Sequence, residues 1–109
     1  MTDELPTALR CFFAGKNARD FDTAILAFSE ASIVKDEGQT LEGHAAIRAW
    51  MEETSRKYND TAEVREIATK GDAVEVAALV SGTFPGSPAT LRFMFTLDSD
   101  RIARLEITA

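Results

Sequence analysis

A chain of 109 residues has room for one hydrophobic core, and 45% hydrophobic with 28% charged residues is the balance of a globular protein in water. Eighteen acidic against twelve basic side chains leave a net charge of −6 and no basic cluster, which excludes nucleic acid as the expected partner, because phosphate binding needs surplus Lys and Arg on one face. No apolar run approaches the roughly 18–20 residues of a membrane span, Met1-Thr2-Asp3-Glu4 lacks the apolar stretch of a signal peptide, and the single Cys11 rules out an intrachain disulfide, so the expectation is one cytoplasmic domain over residues 1–109.

Leu5, Ala8, Leu9, Phe12 and Phe13 recur at helical spacing and predict a first helix. Pro6 is tolerated because it falls in the first turn, and Asp3 and Glu4 place negative charge at the positive end of the helix dipole. Gly15 and the polar run Lys16-Asn17-Ala18-Arg19 are read as its end. Asp20 suits an N-cap, and Phe21, Ala24, Ile25 and Phe28 repeat the pattern as a short second helix. Ser32 to Lys35, with β-branched Ile33 and Val34, predicts a strand that runs straight into Asp36. Asp36 to Glu42 is read as a loop. Gly43 opens a third helix with Ile47, Trp50, Met51, Thr54 and Tyr58 on one face. Glu52–Arg56 and Glu53–Lys57 pairs are expected on the other. Asn59 and Asp60 stop it.

From Thr61 the period changes to two. Gly71-Asp72 fits a type II′ hairpin between a strand ending near Thr69 and a longer one, Ala73 to Thr83, apolar on both faces. Phe84 to Pro88 is a loop, Leu91 to Leu97 and Arg101 to Thr108 are strands, and Asp98-Ser99-Asp100 turns between them. The order is α-α-β-α-β-β-β-β: an α+β domain with helices on one face of a curved, mainly antiparallel sheet.

Several side chains carry a functional reading beside a packing one. Asp36 is either a pocket base or a turn carboxylate bonded to loop N–H groups. His44, the one histidine, either acts with Asp36 as a second acid–base group or is solvated in the first turn of its helix. Trp50 and Tyr58 either pack or orient a ligand through their polar tips. Phe12, Phe28, Phe93 and Phe95 are core, pocket wall, or both. Glu75 and Arg92 interrupt apolar strands and are read first as a cross-strand pair. Cys11 reads first as a small buried hydrophobe and second as a nucleophile. Asp36, Glu37, Glu42 and His44 lie close in sequence but make no convincing metal set, and no glycine-rich phosphate loop implies a cofactor.

The run Phe12-Phe13-Ala14-Gly15-Lys16-Asn17-Ala18-Arg19-Asp20-Phe21-Asp22 resembles the opening of nuclear transport factor two-like proteins. Ile33-Val34-Lys35-Asp36 followed by Leu41-Glu42-Gly43-His44-Ala45-Ala46-Ile47-Arg48 resembles the strand, loop and helix start of SnoaL-like polyketide cyclases and ketosteroid isomerases. The resemblance spans the whole element order. It implies a cone, a strongly bent sheet wrapped around three helices with an apolar pocket between them. It also implies a small hydrophobic ligand and a homodimer through the outer sheet face. Asp36 falls where ketosteroid isomerases keep their general base. Their oxyanion hole, a tyrosine and a protonated aspartate, aligns with Phe12 and with a position at or beside Phe93. Neither phenylalanine donates a hydrogen bond, so ordinary ketosteroid isomerisation is not expected. What the resemblance leaves is an isomerase or cyclase with Asp36 as base and His44 or Tyr58 as a second polar group. The alternatives are a non-catalytic ligand-binding protein and a dimerisation module.

Overall fold

The structure is a computed structural model and describes residues 5–109, so the expected effect of Asp3 and Glu4 on the first helix lies outside the described residues. In chain order the elements are α1 (Thr7–Ala18), α2 (Phe21–Ile25), β1 (Phe28–Asp36), β2 (Gln39–Glu42), α3 (Gly43–Tyr58), β3 (Thr61–Lys70), β4 (Ala73–Ser81), β5 (Ala89–Asp98) and β6 (Arg101–Thr108). The six strands form one sheet in the order β2-β1-β6-β5-β4-β3. Every pairing is antiparallel except β1 with β6. The sheet curls around three helices, the α+β cone expected from the sequence.

Three local expectations need correction. First, α1 does not stop at Gly15. It runs to Ala18 and closes with Arg19 in the left-handed region at φ 62. There the Asp20 N–H bonds the Gly15 carbonyl at 2.8 Å and the Arg19 N–H bonds that of Lys16 at 3.2 Å, a Schellman motif with arginine where glycine is usual. The Arg19 guanidinium compensates by donating to the carbonyls of Lys16 and Asp60. Gly15 serves packing instead: a Cβ there would sit 2.8 Å from the Ala24 nitrogen, so its absence lets α2 lie against α1.

Second, Phe28 belongs to β1 and not to the second helix, which ends at Ile25. The strand was hidden because its ladder to β6 is irregular between Phe28 and Ile33. Ser32 fills the gap by donating its hydroxyl to the Ile102 carbonyl at 2.5 Å. Third, Asp36 to Glu42 is not a loop but a hairpin: Asp36 pairs with Gln39, and Glu37 and Gly38 take φ 51 and 77, the two positive values of a type I′ turn.

The core sits between α1, α3 and the inner sheet face. Phe12 is its centre and is fully buried, making edge contacts with Phe13, Phe28 and Phe95 at 5.1, 5.6 and 5.9 Å between ring centres. Its ring is parallel to Trp50 at 6.5 Å. Burying a side chain of this kind contributes about 1.5–3 kcal/mol. On β4, Val74, Val76, Ala78 and Val80 face inward while Glu75, Ala77 and Leu79 are only half-covered. Glu75 does pair with Arg92, at 3.0 Å on the outer face. The expected ion pairs along α3 are replaced: Arg48 meets Glu52 and Asp22, Arg56 meets Glu53, and Lys57 lies over the Tyr58 ring.

Candidate functional site

The alternation of β1 decides where its last residue points. Ser32 and Val34 are fully buried, and Asp36 follows on the same face one step further out. The ladder places it in line with β6 and β5, because Lys35 pairs with Glu106 and Phe93 with Ile107. The carboxyl therefore lies at the rim of the core row, where the helices no longer fill the cone.

A cavity of about 270 Å³ opens there. Its sheet side is Val80, Leu91, Phe93 and Ile107. Its helix side is Trp50, Thr54 and Tyr58 of α3. Phe84 and Pro85 after β4, and Asp36 and Glu37 at the end of β1, also line it. Lys16 and Asp60 complete the lining. The wall is mostly apolar with a few polar groups converging on it, the usual make-up of a small-molecule pocket.

The indole of Trp50 donates its Nε1–H to Asp36 Oδ2 at 3.0 Å. Burial pushes the Asp36 carboxyl above its ordinary value, and the nearby charges of Glu37 and Asp60 push the same way. The Trp50 hydrogen bond and the Glu37 backbone N–H oppose the rise. Desolvation dominates, so the carboxyl is a stronger base than a solvated aspartate while remaining half-open to the cavity.

Of the sequence-derived site residues, the fold brings Asp36, Trp50, Tyr58 and Phe93 to this cavity. The Tyr58 hydroxyl reaches Glu37 Oε1 at 3.4 Å and its ring packs edge-on against Phe84. Phe12, Phe28 and Phe95 are fully buried behind the wall and do not line the cavity. His44 is elsewhere. Its Nε2 donates to the Phe28 carbonyl at 2.7 Å, and its backbone N–H is capped by Glu30 Oε1 at 3.0 Å. It makes no contact with Asp36, so the expected His44–Asp36 pairing is replaced by a structural bond at the start of α3.

The sequence reading missed Lys16 and Asp60. Lys16 is 3% exposed and its Nζ bonds Asp60 Oδ2 at 2.8 Å. The signal was present, because Lys16 continues the stripe Leu9, Phe12, Phe13 by three and four residues. Reading Gly15 as the helix end removed it from that face. Among the described residues, no three His, Cys, Asp or Glu side chains gather as a metal-binding group.

A curled sheet around three helices with a pocket at its open end defines the nuclear transport factor two-like class. Within it, the chain belongs to the SnoaL-like domain family, whose model matches residues 9–105. It is similar to a Sinorhizobium meliloti protein provisionally named a polyketide cyclase, at 38% identity over 95% of each chain with a TM-score of 0.93. It also has the fold of a Catenulispora acidiphila protein described as ketosteroid isomerase-like and crystallised with trimethylamine. That match has 17% identity, covers 97% of this chain and 87% of that one, and has a TM-score of 0.85. The curated proteins contain no match to this chain.

Proposed function

We propose that this protein binds a small hydrophobic molecule in the cavity beside Asp36 and acts on it as a cofactor-independent enzyme of the isomerase or cyclase type, with Asp36 as general base. One observation carries the reading: a carboxyl with a raised pKa, held by an indole N–H, at the rim of an apolar cavity. A base in that setting suits removal of a proton from carbon next to a carbonyl. The C–H bond breaks, its electron pair forms the carbon–carbon double bond of an enolate, and the proton moves to Asp36. In an isomerisation the same proton returns to another carbon. In a cyclisation the enolate carbon bonds a second carbonyl carbon of the same molecule, and the new alkoxide takes the proton from Asp36. The 38% identity to the protein provisionally named a polyketide cyclase favours the cyclisation. Trp50 fixes the carboxyl and Phe93 supplies wall. A homodimer through the outer sheet face and a reducing, cytoplasmic setting complete the proposal.

A second reading, a non-catalytic binding or dimerisation module, is favoured by Phe12 and Phe93, which bring no hydrogen-bond donor to an enolate. Exchange of the α-protons of β-tetralone with D2O, followed by NMR, separates the two. Wild type is expected to accelerate exchange. Asp36→Asn is expected to lower that acceleration by about 10²–10⁴-fold while keeping affinity for the ketone. Equal rates in the two proteins would leave only the binding reading.

A further inference from the structure

The Lys16–Asp60 pair is costly where it stands. Its ammonium and carboxylate side chains are 4% and 11% exposed. Removing two ions from water is repaid only if their remaining hydrogen-bonding capacity is also used. It is not used within the described residues. An ammonium has three donors, and that of Lys16 has one partner, Asp60 Oδ2. The other oxygen of Asp60, Oδ1, is buried with no partner.

A purely structural role does not account for the pair. The end of α1 is already tied to the start of β3 by other polar bonds. The Asn17 side chain donates to the Ala62 carbonyl at 2.8 Å and accepts from the Ala62 N–H at 2.9 Å, and Arg19 donates to the Asp60 carbonyl at 2.6 Å. An apolar residue at position 16 would continue the buried stripe of Leu9, Phe12 and Phe13 and avoid the desolvation of an ion. What distinguishes Lys16 is that it lines the cavity together with Asp36.

We propose that Lys16 is the electrophilic group of the site, its ammonium donating a hydrogen bond to a carbonyl oxygen of the ligand and, after proton removal, to the enolate oxygen. The substrate class is then an enolisable ketone with an apolar ring body, bound with its oxygen toward Lys16 and its acidic carbon toward Asp36. As the C–H pair becomes the carbon–carbon double bond, the carbonyl π pair moves onto oxygen, and that developing charge meets a cation already held in place by Asp60. A donor preorganised in a desolvated site is the largest single contribution in enolate chemistry of this kind. Lys16 thus supplies what Phe12 and Phe93 lack. The proposal rests on the reading of Asp36 as a base, and its test is arranged not to depend on it.

The probes are 4-nitrophenolate, an aromatic oxyanion, and nitrobenzene, its neutral counterpart. Binding is measured in the Asp36→Asn background, where no base is present and the neighbouring negative charge is gone. Lys16→Met combined with Asp60→Asn removes both charges together, so no orphaned ion is left and the net charge is unchanged. Lys16→Met and Asp60→Asn in that background are expected to weaken 4-nitrophenolate about 10- to 100-fold, the range of a hydrogen bond to a charged group, and to leave nitrobenzene binding unaltered. An unaltered nitrobenzene affinity also shows that the variant is folded. Equal loss of both probes, no loss of either, or no binding of 4-nitrophenolate to the parent overturns the proposal. So does preferential binding of benzyltrimethylammonium, which would make the ring of aromatic side chains and carboxylates a cation site. If this test succeeds while Asp36→Asn leaves β-tetralone exchange intact, Lys16 stands and the base reading falls.

Discussion

At Asp36 two effects oppose one another. Burial and the charges of Glu37 and Asp60 favour the protonated carboxyl, while the Trp50 N–H and the Glu37 backbone N–H favour the carboxylate. If Asp36 is the base proposed above, it accepts a proton only above its pKa, so activity that depends on it rises with pH through a raised value and is lost as pH falls below it. Trp50→Phe removes the strongest of the opposing bonds and keeps a ring against Phe12. The acid limb of kcat/KM for β-tetralone exchange is therefore expected to move to higher pH in this variant. The plateau at high pH should fall by less than the Asp36→Asn loss. A limb that stays in place, or moves to lower pH, would mean that Trp50 does not set the protonation of Asp36. Lys16 belongs to the same scale. Its ammonium is legible only from its place on the α1 stripe, because no local sequence rule marks a lysine as buried.

The elements differ in how much of themselves the sequence reveals. Period-two alternation exposes β4 and β5, whose ladder to each other is regular from end to end. It conceals β1, where the Ser32 hydroxyl bonds that of Ser29 and donates to the Ile102 carbonyl in place of the regular ladder. The end of α1 misleads for a related reason: Arg19 occupies the left-handed position that glycine would normally advertise. The hairpin after Asp36 carries glutamate at its first positive-φ position, where asparagine or aspartate would be expected, and so reads as loop. That misreading leaves Asp36 at the start of a loop in the sequence, whereas the ladder fixes it on the inner face. β5 offers the most direct test of the cavity these elements enclose. Leu91 is half-buried on the cavity wall and its neighbour Phe93 is 2% exposed, so space is available in front of Leu91 and not behind it. Leu91→Trp is expected to fill the cavity, abolish measurable nitrobenzene binding and leave Tm within a few degrees of wild type. Overpacking of a filled core would instead cost about 1–3 kcal/mol. A clear fall in Tm with binding retained would place the ligand outside this cavity.

For the whole molecule, the same sheet that walls the cavity has its other face uncovered by any of the described residues. That face carries Ala77 and Leu79 of β4 beside Thr90, Arg92 and Met94 of β5, with Met94 39% exposed and Glu75 bonded to Arg92 across it. The two sheet edges are poor docking sites. One is β2, only 4 residues long, and the other is β3, bent by a register shift between Val64 and Glu66 and ending at Lys70. The face is the larger surface, in a molecule of 35 × 34 × 25 Å that can present the roughly 800 Å² per partner of a stable interface. Sedimentation equilibrium at micromolar concentration is expected to give twice the chain mass. Met94→Glu places a new carboxylate beside Glu75, and in a two-fold interface beside its own copy, so it is expected to yield monomers. Because Met94 points away from the cavity, the monomer should still bind nitrobenzene. A monomeric wild type would remove the outer face as the dimer surface, and a Met94→Glu dimer of unchanged affinity would move the interface elsewhere. Loss of ligand binding on dissociation would show that the open end of the cone is held in shape by the partner, and that the placement of Asp36 at its rim depends on assembly.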